Sequence, residues 1–425
     1  MSKRKMHLVG YLKTGPTALR SAGWRHPETP LDFFEPSWYE HAAQMMEAAK
    51  LDAVMLADFF GIPDTYNNSF ETFVKVGGQV SYLDPTMVLP IMARVTSRIG
   101  LATTVSTSFY NAFHLARVLQ SIDVLSKGRV AWNVITSSSN TEARNAGFDE
   151  MPPHDERYDR AEEVVEACMA LWNTWDEGAF VLDKKAGLFA DPSKVHYANY
   201  AGKWTKTRGP LPTPRSAQGH PVIMQAGSSD RGRDFAARWA EIIFIGGQEK
   251  HVTQEVYADL KKRIAAQGRD PDRVPIIASV TPTVGETESI ARERAAYFES
   301  LENPEYRLAL GSVAAGADLK KHKTVEEVAK VRGTQGSHGI HNRDAKTVDE
   351  MTRRVRPDFV GTPETVADKL QDYFESRACD GFVILPVSMM LSLEQFCRAV
   401  VPELQRRGLF RTEYAAATLR GNLTA

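Results

Sequence analysis

Apolar positions along the chain fall into two spacings. Short runs in which most consecutive residues are apolar recur at residues 6–11, 53–57, 99–104, 129–134, 221–226, 242–245, 275–284 and 381–386. Rich in Val, Ile and Leu, such runs fit parallel strands buried on both faces. Between them the apolar residues lie three or four apart, which predicts amphipathic helices at 37–50, 85–96, 112–125, 158–172, 232–240, 252–267, 286–301, 362–376 and 393–407. Pro85 and Pro363 fall near helix starts, where a missing N–H does no harm. Strands alternating with helices predict an α/β fold, and the count of strand runs favours a (β/α)8 TIM barrel. A doubly wound sheet is the alternative, weakened because no Gly-x-Gly-x-x-Gly follows the first strand.

The connections 58–84, 174–220 and 303–358 are too long for simple loops. None starts a new domain-sized core, so the expected organisation is one barrel domain over 1–425 with insertions at the C-terminal mouth. The third insertion carries Gly311, Gly316, Gly333, Gly336 and Gly339 among Lys320, Lys321, Lys323, Lys330 and Arg332. It reads as a lid centred on 334–342, because its glycines give hinge freedom beside the mouth.

Charge and composition narrow the function. Hydrophobic residues make up 43%, charged residues 25%, and net charge is −1, so no basic excess points to nucleic acid or an anionic membrane. The apolar stretch MHLVGYL near the start is too short for a signal-peptide core or a membrane span. The three cysteines, Cys168, Cys379 and Cys397, form no CxxC pair. A cytoplasmic enzyme is expected. No HExxH occurs, His338 and His341 lack a partner at ligand spacing, and Gly-x-Ser-x-Gly is absent, so neither a metal nor a serine nucleophile is expected.

The candidate chemistry gathers at strand ends. In QAGSSDRGRDFAARWAE (225–241) a strand gives way to a hydroxyl-bearing turn and a helix start, with Ser228, Ser229 and Arg231 as further donors. That arrangement can hold a terminal phosphate, or can be ordinary helix capping. The run RVAWNVIT places Asn133 in an apolar strand, and SSSN follows it with Ser138. His154, Arg157 and Tyr158 stand at or just before a helix start in PPHDERYDRAEE. Asp58 follows the second strand, and Thr103 and Thr104 end the third. Tyr11, Tyr66, Gln79, Asn133, Ser138 and His154 are the candidates for the substrate side of the mouth.

The strings KMHLVGYL, LDAVMLADFFG, DPTMVLPIMARVTSRIGLATTVSTSFYNAFHLARVLQSIDVLSKGRVAWNVITS, HDERYDRAEE and HPVIMQAGSSDRGRDFAARWAEIIF, taken in order, resemble the bacterial-luciferase superfamily. Within it they resemble the branch of nitrilotriacetate monooxygenase component A, EDTA monooxygenase and dibenzothiophene-sulfone monooxygenase. The resemblance implies FMN contacts at Asp58, Thr104, His154, Tyr158 and Ser229, with Ser228 and Arg157 as neighbours of the phosphate. It implies reduced FMN supplied by a separate NAD(P)H:flavin reductase, O2 and a small organic substrate as partners, and a homodimer or homotetramer. Some relatives carry a histidine soon after the fourth strand; here that loop reads SSSNTEARN, which counts against alkane oxidation. A deazaflavin-dependent dehydrogenase of the same superfamily, and a flavin-binding protein without turnover, are the alternatives.

Overall fold

Strand and helix alternate through the described residues, which are 4–18, 23–331, 345–352 and 359–424 of a computed structural model. The order is β1 (His7–Leu12), α1 (Pro36–Ala48), β2 (Ala53–Leu56), α2 (Pro85–Val95), β3 (Gly100–Ser106), α3 (Ala112–Leu125), β4 (Val130–Ile135), α4 (His154–Trp172), β5 (Val222–Gln225) and α5 (Asp230–Trp239). Then come β6 (Ile242–Ile245), α6 (Lys250–Ala266), β7 (Ile276–Val280), α7 (Pro363–Glu375) and β8 (Gly381–Ile384). A last helix, α8, is assembled from Leu391–Gln395, Phe396–Val400 and Val401–Arg406. The eight barrel strands are all parallel and their sheet closes, β1 pairing with both β2 (Val9↔Ala53) and β8 (His7↔Gly381). Closure excludes the doubly wound alternative.

Side-chain direction follows from the pairing. A Cβ on Gly10 would lie 2.1 Å from Met46 Sδ, so this position faces α1. Trp132 packs edge-on against Trp172 of α4, with ring centroids 6.3 Å apart, so it too faces the helices. Trp132 pairs with Thr103, Thr103 with Leu56 and Leu56 with Leu12, which makes this row the outer face. Thr103 therefore points at the helical layer, not into the barrel as its place at a strand end suggested. The rows on either side face the lumen. One contains Tyr11, Met55, Ala102, Ala131 and Val222; the next, nearer the mouth, contains Thr104, Asn133 and Met224.

The C-terminal tail closes the opposite end. A Cβ on Gly100 would meet Leu419 Cδ1 at 2.6 Å. Arg411 pairs with Asp52, Tyr414 donates to the Leu51 carbonyl, and Arg420 pairs with Glu241 at 2.5 Å. These partners all precede barrel strands, so catalytic groups are left to the other rim.

One predicted strand is two. The run 275–284 divides into β7 and Thr283–Val284, which pairs with Val360–Gly361 outside the barrel. Pro282 lies in the gap and has no N–H to continue the ladder. The predicted helix 286–301 is Glu288–Ser300, which follows this side strand, and α7 is the helix that leads into β8. The third insertion continues with helix Pro304–Ala315, whose Tyr306 and Ala309 form a small core with Tyr66, Phe73 and Val76 of the first. The lid centre at 334–342, with Gly333, Gly336, Gly339, Arg332, His338 and His341, lies outside the described residues. No described helix is long and apolar enough to cross a membrane.

Candidate active site

Two helix starts converge at the mouth beyond β4 and β5. After Gln225 the chain turns through exposed Ala226 and Ser228, and Ser229 caps α5 by accepting from the Gly232 amide at 3.0 Å. The cap is possible because Ser229 has extended backbone and a short oxygen side chain. Helix α4 begins at His154, earlier than the apolar spacing indicated, because its first turn is polar. That start brings His154 and Tyr158 onto the cap: His154 Nε2 lies 3.2 Å from Ser229 Oγ, and the Tyr158 hydroxyl hydrogen-bonds with Gln225 and Ser229. Burial pushes the Tyr158 phenol up, ahead of the opposing effect of these partners, so it stays protonated. Its ring sits between His154 and Phe235, at 5.1 and 5.7 Å between centroids.

Glycine is required at two points here. A Cβ on Gly232 would lie 2.6 Å from Tyr158 Oη, and one on Gly227 would lie 2.7 Å from Gly232 Cα. The turn and the helix start are therefore drawn together, leaving backbone N–H groups, two serines, a tyrosine and a histidine at one rim. Arg231, expected as a donor here, instead reaches Asp159 at 3.0 Å and Glu162 at 3.2 Å on α4. Arg157 is 2% exposed and donates to the Pro152 carbonyl at 3.0 Å, which braces the loop before α4.

A second polar group lies in the lumen. Asn133 Nδ2 donates to Thr104 Oγ1 at 3.0 Å, and Asn133 Oδ1, though buried, has no partner among the described residues. A buried acceptor left open on a barrel wall points to a donor on a ligand. Asp58 follows β2; burial pushes its carboxyl up, and Ser81 and Lys13 oppose that. Glu142, also buried, accepts from Ser137 Oγ at 2.8 Å and from the amides of Phe60, Ser138 and Ser139 at 3.3–3.4 Å. These contacts hold the loop after β4, where Ser137 takes a left-handed φ of 51° and Ser138 is half-buried.

The remaining candidates scatter. Tyr11 faces the lumen one row below Thr104 and Asn133. Gln79 is half-buried, donates its backbone amide to Tyr306 Oη at 2.9 Å, and leaves Nε2 without a partner among the described residues. Tyr66 is 4% exposed in the small core between the first and third insertions. Sequence reasoning missed Lys13 and Glu142. A signal existed for Lys13, which ends the apolar run of the first strand and so had to lie at the mouth. Glu142 had the capping pattern Ser139-x-x-Glu142, which the structure forms in full. Among the described residues no cluster of His, Cys, Asp and Glu is arranged to hold a metal.

Comparison with known proteins gives a consistent picture. The family described as luciferase-like monooxygenase matches residues 19–379. A dibenzothiophene-sulfone monooxygenase of Rhodococcus erythropolis (strain XP) is 42% identical over 439 residues, covering 99% of this chain and 97% of that one. Nitrilotriacetate monooxygenase component A of Aminobacter aminovorans is 36% identical over 420 residues, covering 94% and 92%. The crystal structure of a riboflavin lyase with modified FMN and riboflavin superposes with a TM-score of 0.91 at 32% identity, covering 99% and 96%.

Proposed function

This chain belongs to the luciferase-like monooxygenase family, and we propose that it is the oxygenase component of a two-component flavin-dependent monooxygenase. Reduced FMN arrives from a separate NAD(P)H:flavin reductase, and one atom of O2 enters a small organic substrate. The observation that carries this reading is the pairing of a hydroxyl-lined helix-start cradle with the open Asn133 acceptor on the same barrel mouth.

The residues fit FMN. Ser229, Tyr158 and His154, with the first amides of α5 and exposed Ser228, would hold the phosphate. Thr104 and Asn133 would meet the polar edge of the ring, Asn133 Oδ1 accepting from a ring N–H. Ala102 and Ala131, in the lumen row below, leave room beneath it. Bound reduced FMN supplies the electrons that activate O2. The protein's part is to orient the ring and keep water out, which the apolar lumen wall of Met55, Val222 and Met224 does. The substrate is of the xenobiotic kind suggested by the relatives, a sulfone, aminopolycarboxylate or aromatic compound.

Anaerobic calorimetry with reduced FMN tests the cradle. Ser229→Ala and Tyr158→Phe should each weaken binding by roughly ten- to hundredfold, the loss of about 1.5–3 kcal/mol for a hydrogen bond to a charged group. Ser229→Ala should also cost about 1 kcal/mol of stability through the lost cap. Parent-like affinity in both variants would remove the phosphate assignment, and a parent that binds no reduced FMN would end the flavin reading.

A further inference from the structure

Lys13 has no part in the reading above. It follows β1 directly, yet its side chain is only 4% exposed. Because Gly10 faces α1, the alternate positions Tyr11 and Lys13 face the lumen. The Ala57 amide donates to the Leu12 carbonyl at 3.0 Å, which sets Lys13 beside Ala57 and continues the row of Thr104 and Asn133 around the wall. Among the described residues its ammonium makes no hydrogen bond and no ion pair. The charged groups that face it are Asp58 and Glu142.

Neither carboxylate is a committed partner. Glu142 is taken up by Ser137 and the amides of its own loop. Burial weakens Asp58 as an anion. Burial also outweighs both carboxylates at Lys13 and pushes its ammonium down to about 8, so at neutral pH it still carries its proton. A cation held out of water without a partner is unfavourable unless something bound supplies the opposite charge.

We infer that Lys13 is the anion anchor of the mouth: its Nζ pairs with a negatively charged group of a ligand bound beside Thr104 and Asn133. The inference rests on the flavin reading given above. The anion has two possible sources, the reduced flavin ring, anionic at neutral pH where the oxidised ring is neutral, and a carboxylate of the substrate.

The test uses Lys13→Met, close to lysine in length and without its charge. Reduced FMN, oxidised FMN and nitrilotriacetate are titrated anaerobically into parent and variant. Binding of reduced FMN at least tenfold weaker, with oxidised FMN unchanged, assigns the anion to the ring. Nitrilotriacetate lost tenfold, with both FMN forms unchanged, assigns it to the substrate. Acetic anhydride labelling of the parent, read by peptide mass spectrometry, needs no variant: the ligand that pairs with Lys13 should protect it at least tenfold while exposed Lys262 labels as before. Unchanged binding of all three probes with no protection overturns the anchor, as does equal weakening of both FMN forms, which marks Lys13 as scaffold. A parent that binds neither FMN form fails the flavin reading itself, and the anchor with it.

Discussion

Gly232 shows how closely the proposed phosphate cradle is drawn together. Glycine inside a helix is ordinarily less stable than alanine by about 0.5–1 kcal/mol. Here an added Cβ would lie 2.6 Å from Tyr158 Oη, so Gly232→Ala should displace the tyrosine and weaken reduced FMN roughly tenfold. In a Tyr158→Phe background the same change should do much less, a coupling of about 0.5–3 kcal/mol in a double-mutant cycle read by calorimetry. Strictly additive effects would show that the two residues act apart. The cap at Ser229 was legible because Gly-Ser-Ser-Asp-Arg-Gly after an apolar run has few other uses. The turning of Arg231 toward Asp159 and Glu162 was not, since an ion pair between two helices leaves no mark in either segment. Lys13 was passed over because a lysine beside a strand end is usually solvated.

Among the elements, the tail beyond α8 bears most directly on stability. Burial would push the Asp52 carboxyl up, but Arg411, His7 and the Leu8 amide together hold it below the usual carboxylate range. A depressed folded pKa contributes stability that is complete above the unfolded value, about 3.9, and is lost as pH falls through the folded one. Arg411→Met leaves Asp52 buried without its main cation and should destabilise the fold by about 3 kcal/mol. The carboxyl then titrates at higher pH, so the variant loses less stability on acidification, and its melting-temperature deficit against the parent should narrow as pH falls. Thermal melts across about pH 3 to 7 check this, and superimposable curves would contradict it. Barrel elements were readable from spacing alone because strands buried on both faces leave unbroken apolar runs. The run 275–284 misled because its apolar pattern continues past Pro282, where the hydrogen-bond ladder cannot.

At the scale of the whole molecule, the tail seals the bottom of the barrel, and the loops beyond β1 to β5 furnish the top. Closure was foreseeable from the strand count, but the sides that residues face required register. Tyr66 shows the difference, read as a mouth residue yet packed with Phe73 and Tyr306 between insertions, because contacts between distant loops leave no periodicity. The central claim is that this chain needs only reduced FMN and O2 to oxygenate an organic substrate. The most direct measurement supplies chemically reduced FMN and 18O2, with no reductase and no NADH, to the purified chain and a panel of sulfones, aminopolycarboxylates and aromatic compounds. Mass spectrometry should find a product carrying one 18O atom, and NADH with oxidised FMN should not replace reduced FMN. Product oxygen drawn from water, or turnover of NADH by the chain alone, would contradict it.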